Sequence, residues 1–140
     1  MKQIPSSLEL GYTIIRVALG IVLVVSGYNK LSFGWTGNTE KLIQIGSAIQ
    51  LFGISFGFLW WGYIAALTEF FGGIALICGI LTRFASLPLI WLFIVAIKFH
   101  ISKGDTFSSW GFAFLCLCIC ISILIAGDGD YSMEHMIHKK

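Results

Sequence analysis

Apolar residues along this chain gather in four long runs, residues 12–28, 58–81, 84–99 and 110–126, parted by short stretches that hold most of the polar side chains. A helix rises about 1.5 Å per residue and a bilayer's hydrocarbon core is about 30 Å thick, so a span takes about 20 mostly apolar residues. All four runs approach that length, the third and fourth with help from flanking residues or from local thinning of the bilayer. The pattern predicts an all-α, polytopic membrane protein: a four-transmembrane-helix bundle, one integral membrane domain over residues 1–140, with a short polar tail from 127 to 140. A cleavable signal peptide in the first run is disfavoured, because Arg16 interrupts the apolar segment and no soluble domain follows.

The stretch 31–57 between the first two runs differs in character. Gly34, Gly37 and Asn38 mark a turn, and Asn38 or Thr39 is suited to cap a helix by accepting a first-turn N–H. Leu42, Ile45, Ile49 and Leu51 then recur at helical spacing, with Lys41, Gln44 and Gln50 on other faces. This predicts an interfacial helix over about 39–51, or one that closes an end of the bundle. Thr82 and Arg83 are the expected tight connection between spans two and three, which form an antiparallel hairpin. Ser108 or Ser109 is the expected cap of the fourth span, and Gly127 its expected C-terminus.

Composition agrees with a bilayer as solvent: 57% of the 140 residues are hydrophobic and 11% charged, with a mean hydropathy of +0.89. Such low charge density excludes disorder, and a formal net charge of +2 without a basic run excludes nucleic acid as a partner. An even number of spans puts both termini on one side. Lys2, Arg83, Lys139 and Lys140 lie there, against Lys30, Lys41, Lys98 and Lys103 opposite. That count is a tie. Arg16 and the Lys139-Lys140 pair, being close to span ends, tilt the termini toward the cytoplasm.

Two ionisable residues fall inside apolar runs, Arg16 in the first and Glu69 near the middle of the second. Either facing lipid alone would cost from about 2.5 to more than 10 kcal/mol, so both must face the bundle interior. With antiparallel spans, Arg16 lies about 8 Å and Glu69 about 18 Å inside the same end by helical rise. They are expected to be coupled, either as an ion pair that locks two helices or as a proton or ligand site. Small residues nearby, Gly20 and Gly27 in span one and Gly72, Gly73, Ala75 and Gly79 in span two, let helix backbones approach closely.

Five segments, Arg16-Val-Ala-Leu-Gly20, Gly27-Tyr-Asn-Lys30-Leu31, Glu69-Phe-Phe-Gly72-Gly73, Gly79-Ile-Leu-Thr82-Arg83 and Gly127-Asp-Gly129-Asp-Tyr131-Ser132, resemble in order and spacing the DoxX family of small bacterial membrane proteins. The resemblance runs over nearly the whole chain. It implies a four-helix protein of the bacterial inner membrane, with some relatives linked to quinone-dependent sulfur oxidation or to membrane oxidoreductase complexes that manage oxidative stress. The tail departs from the family pattern, with Asp128 where proline is usual and Met133-Glu134 where leucine and aspartate are usual.

The resemblance thus implies an accessory subunit of a quinone-linked oxidoreductase, with Arg16, Lys30, Glu69 and Arg83 lining a polar intramembrane site. A quinone ring asks for aromatic walls and one or two hydrogen-bond partners. Tyr28 and Trp91 are candidate walls, with Lys98 and His100 within reach of the carbonyl oxygens. Trp60, Trp61, Tyr63 and Trp110 fall near span ends and fit an aromatic belt. No covalent cofactor is expected. His100 and a tail histidine fall on opposite membrane faces, which disfavours haem. His135 and His138, with Asp130 or Glu134, read as a solvated tail before a metal site, so no metal is expected. Cys116 and Cys120 share a helix face with Cys118 opposite, so these thiols act as small hydrophobes. The expected partners are lipid, a redox partner protein and a second copy of the chain. The competing reading is a non-catalytic scaffold or small-molecule permeation protein in which the same charges only fix helix packing. Reporter fusions after Asp105 and after Lys140 should give opposite topology signals; finding both on one side would end the four-span arrangement.

Overall fold

The computed structural model describes residues 6–129 and 131–133, and among them every regular element is helical. In chain order these are α1 (Ser6–Trp35), α2 (Thr39–Gly46), a 3-10 turn over Ser47–Phe52, α3 (Phe58–Cys78), α4 (Thr82–Ser102) and α5 (Phe107–Ala126). Four of them, α1, α3, α4 and α5, are long and apolar enough to cross a membrane.

Helix α1 is much longer than its apolar run. It has 30 residues, about 45 Å at the helical rise. Polar residues do not stop it, because they bond back onto the preceding turn: the Thr13 hydroxyl donates to the Glu9 carbonyl and that of Ser32 to the Asn29 carbonyl. Helix α3, by contrast, stops three residues short of its run. Gly79 takes up a left-handed conformation at φ +68° and ends it. Thr82 and Arg83 therefore belong to the first turn of α4 rather than to the connection, which is Gly79-Ile80-Leu81. Leu81 itself sits at φ +50°, a conformation that costs a residue with a Cβ about 1–2 kcal/mol.

The caps also depart from expectation in part. Asn38 occupies the position before α2, but its side chain makes no capping bond. Helix α5 starts one residue ahead of Ser108, with Thr106 at the cap position. The Thr106 hydroxyl pairs with that of Ser108, and its carbonyl accepts from the Ser109 N–H. Gly127 ends α5 as expected, at φ +87°.

Helices α1 and α3 run antiparallel in intimate contact, and the small residues are where they touch. A Cβ on Gly20 would lie 2.8 Å from the Gly73 carbonyl oxygen, and one on Gly27 would lie 2.6 Å from the Phe70 nitrogen and 2.8 Å from the Ala66 oxygen. Helices α4 and α5 close the bundle around a core of Leu19, Leu23, Leu76, Leu89, Phe93, Cys116, Cys120 and Ile123. The outer surface carries exposed Ile14, Ile21, Val25, Phe71, Phe84, Phe112, Leu115 and Ile125. An apolar exterior of that extent suits lipid rather than water. As expected, Cys116 and Cys120 are buried while Cys118 faces outward.

The bundle has two unlike ends. At one, α2 crosses the start of α3 so closely that a Cβ on Gly46 would collide with the Phe58 carbonyl and one on Gly62 with the Leu42 carbonyl. Leu42 and Ile49 are buried there, and Lys41, Gln44 and Gln50 stay exposed, so this segment closes an end of the bundle. Exposed Trp35, Phe56, Trp60 and Phe107 belong to the same end, as an interfacial belt would. The other end gathers the start of α1, the α3–α4 turn and residues 127–129 and 131–133.

The glycine contacts make a stability test. Gly27→Ala forces backbone apart and should destabilise the bundle by about 1–3 kcal/mol. Gly11→Ala, where a Cβ meets nothing within 4 Å, should be neutral or slightly stabilising. Unfolding in detergent measures both, and equal effects would refute the close α1–α3 approach.

Candidate functional site

Glu69 lies on the α3 face that also carries Gly62, Ala66, Gly73 and Leu76, all turned inward. It is 3% exposed, and both its oxygens are bonded by α1. The Ser26 hydroxyl donates to Oε2 at 2.8 Å, and the Lys30 ammonium donates to Oε1 in an ion pair. Ser26 and Lys30 are four residues apart, one turn on a single helix face. Gly27 between them is what brings the α1 backbone against Phe70 and Ala66, close enough for both side chains to reach the carboxylate. Glu69 is thus sealed, whereas the Lys30 side chain keeps 25% of its surface exposed. Lys30 is the member of this pair that is not fully enclosed.

Arg16 is not its partner. The expected Arg16–Glu69 coupling is replaced by Lys30–Glu69, while the Arg16 Nη1 donates to the Leu76 carbonyl at 2.6 Å and Nη2 to the Tyr131 carbonyl at 3.1 Å. Leu76 lies seven residues beyond Glu69, about 10 Å along α3, and Arg16 packs against Gly79 at the helix end. Arg83 belongs to that end as well, with Nη2 3.4 Å from the Ile125 carbonyl. The four charges expected to line one site therefore separate into two groups, Lys30 with Glu69 and Arg16 with Arg83. Between them along α1 and α3 lie the buried apolar side chains of Leu19, Leu23 and Leu76.

The second group is larger than the sequence suggested. The Tyr12 hydroxyl donates to the Gly127 carbonyl, the Thr82 amide donates to Asp128 Oδ1 at 2.8 Å, and Glu9, Arg16, Arg83 and Asp128 all lie within electrostatic reach of Tyr12. Asp128 does the work of a cap here. Leu81, at the cap position of α4, has no side-chain acceptor, and a carboxylate from 46 residues on meets the first amide instead.

The expected ligand walls do not gather around Glu69. Tyr28 is exposed and meets Trp35 edge-on. Trp91 packs on Phe52, and the Lys98 ammonium sits 4.3 Å from the same ring and 3.3 Å from the Leu51 carbonyl. His100 pairs through Nδ1 with Asp105 at 2.7 Å, in the α4–α5 loop. Asp130, Glu134, His135 and His138, and with them the tail reading, lie outside the described residues. Among the described residues no group of three His, Cys, Asp or Glu converges as metal ligands do.

Ser26, Tyr12, Thr82 and Asp128 were not read as site residues. Ser26 had a signal, its i, i+4 spacing to Lys30 across Gly27. Asp128 had none, since its partner is a backbone amide far away in the chain.

Four apolar helices around buried charge define a multi-pass membrane protein of bundle type, with a bilayer as its environment. The family model DoxX matches residues 11–101, and the chain belongs to the DoxX family. The match takes in Arg16, Ser26, Lys30 and Glu69 and ends before α5 and the tail. Comparison with curated proteins and with solved structures returns no match.

Breaking a buried ion pair from one side typically costs about 3–5 kcal/mol, because the remaining charge is stranded, whereas removing both partners relieves the penalty. Lys30→Met and Glu69→Gln should therefore each destabilise the bundle, and the double variant should recover much of the loss. Arg16→Met should instead add to Glu69→Gln without coupling. A double-mutant cycle in which Arg16, not Lys30, couples to Glu69 would overturn the pairing.

Proposed function

We propose that this protein is an accessory subunit of a quinone-linked oxidoreductase system of the bacterial inner membrane, joining a redox partner protein to the quinone pool. One observation carries the reading: a buried carboxylate in the bundle interior paired to a lysine whose side chain stays partly exposed. Family membership supports it from outside the geometry.

A quinone head group takes a hydrogen bond at each carbonyl when oxidised and donates from hydroxyls when reduced. The residues offer both functions side by side. Lys30 and Ser26 are donors, and Glu69 is an acceptor able to hold a proton. A ligand that reaches the half-buried Lys30 would compete with Glu69 for its ammonium, so substrate binding and the buried ion pair are linked.

A specific observation also favours the scaffold reading, since both Glu69 oxygens are already satisfied within the chain. The apolar layer between the two polar groups counts against permeation. Glu69→Asp separates the alternatives: it keeps the charge but withdraws it by one methylene. Displacing a positioned group by about 1 Å can cost about 100-fold in rate, while a structural pair adapts with modest loss. Electron transfer to a soluble quinone analogue should fall steeply in membranes carrying Glu69→Asp relative to the native chain at matched protein level. Equal rates in native, Glu69→Asp and chain-free membranes would leave the scaffold.

A further inference from the structure

Helix α3 packs tightly on α1, and α4 on α5, while α3 and α4 touch more loosely beyond the turn that joins them. The cleft between them opens outward beside exposed Phe71 and Phe84 and holds about 480 Å³, a volume in the range of small-molecule sites. Gly72 lies against the fully buried Leu89, which backs the cleft on the core side.

The cleft is long and narrow. Its α3 wall covers residues 68–78, about 15 Å by helical rise, and over that length the volume leaves a cross-section of about 30 Å². A helix is about 10–12 Å across with its side chains and needs about 80–110 Å². A helix of a second copy therefore does not enter the cleft, whereas one hydrocarbon chain does. Thr68, Gly72, Ala75 and Cys78 succeed one another along the wall at three- and four-residue steps, so their small side chains leave notches about one turn apart. A chain that carries methyl branches at regular intervals fills such notches. A straight acyl chain leaves them empty.

The opposite wall supplies a polar group. Phe84 and Pro88 line it one turn apart on α4. Pro88 has no N–H, so the Phe84 carbonyl between them lacks its α-helical donor. In hydrocarbon surroundings such a carbonyl needs a donor from elsewhere, and the Ser86 hydroxyl is bonded to the Thr82 carbonyl instead. Phe84 is close to the start of α4, which puts the acceptor near the membrane end of the cleft, with the apolar wall of α3 leading inward from it.

We propose that the α3–α4 cleft binds an isoprenoid alcohol from the bilayer, its branched chain lying along residues 68–78 and its hydroxyl donating to the Phe84 carbonyl. Glu69 and Lys30 are not among the walls of the cleft, and an oxidised quinone has no hydroxyl to donate, so this site is separate from the one in the reading above.

Cys78 lines the cleft and is half-buried, Cys116 and Cys120 are buried, and Cys118 faces outward. The full chain carrying Cys118→Ala thus reports on the cleft through alkylation of Cys78 by N-ethylmaleimide in neutral detergent. The probes are geranylgeraniol and hexadecanol, alcohols of equal main-chain length that differ in branching. At ten times its Kd geranylgeraniol should slow alkylation about tenfold and raise the unfolding temperature. Burial of two branch methyls is enough for about a tenfold difference in affinity, so hexadecanol should bind at least that much more weakly. Pro88→Ala returns an N–H to the Phe84 carbonyl and should weaken the geranylgeraniol response about two- to tenfold. Equal slowing by the two alcohols marks an ordinary acyl chain, and Cys78-to-Cys78 cross-linking in membranes marks a second copy. Either would overturn the proposal, as would alkylation that geranylgeraniol leaves unchanged or an undiminished response in Pro88→Ala. The two-alcohol readout uses the native cleft and stands if Pro88→Ala fails to accumulate.

Discussion

An ionised carboxylate in a bundle lined by Leu, Phe and Cys persists only if its donors come from the protein, and for Glu69 both donors come from a single turn of α1. That requirement dictates how closely α1 and α3 must pack. Ser26 and Lys30 reach the carboxylate because Gly27 admits the Phe70 and Ala66 backbone, and Gly20 and Gly73 repeat the same approach two turns away. Lipid supplies no hydrophobic drive between helices, so close backbone packing and interhelical hydrogen bonds have to hold them together. Here the two act at the same place: the glycines permit the approach, and the ion pair selects its register.

The remaining helices complete the enclosure mainly with apolar side chains. Helices α4 and α5 contribute Leu89, Phe93, Cys116, Cys120 and Ile123 to the core, which seals Glu69 from that side and sets the low-dielectric surroundings in which its pairing matters. The same residues, with Leu19, Leu23 and Leu76, divide the interior. Charge is held in two places, mid-bundle and at the terminal end, with Leu19, Leu23 and Leu76 buried between them and the hydroxyl of buried Ser86 bonded back to the Thr82 carbonyl.

The family model spans residues 11–101, a range that holds Arg16, Ser26, Lys30, Glu69, Thr82 and Arg83 and so takes in residues of both places. Asp128, where the family resemblance leads one to expect proline, is the residue whose carboxylate meets the amide of buried Thr82 at the start of α4, and proline has no side-chain oxygen to do so. The departure at the tail thus has a defined structural consequence, a cap supplied from outside the helix to a turn whose own cap position is held by Leu81 at φ +50°.

Much of this architecture is legible in one dimension. The length and polarity of a segment decide whether it crosses a bilayer, so four spans, the amphipathic crosspiece after the first and the inward placement of Arg16 and Glu69 all follow from the chain alone, as do Gly20, Gly27 and Gly73 where α1 meets α3, whereas Gly46 and Gly62 between α2 and α3 do not. The partner of Glu69 does not follow. The first apolar run ends at Tyr28, which places Lys30 outside the membrane on a reading of hydropathy, yet α1 continues to Trp35 and carries Lys30 back into the bundle. Arg16 has the right sign and the right span, but helical rise specifies only depth. Contact also depends on the rotation of each helix and on where the backbones cross, and those are set by packing between segments far apart in the chain. For the same reason Asp128 and Thr82, 46 residues apart, acquire each other only when the α3–α4 turn and the tail are folded onto one end of the bundle.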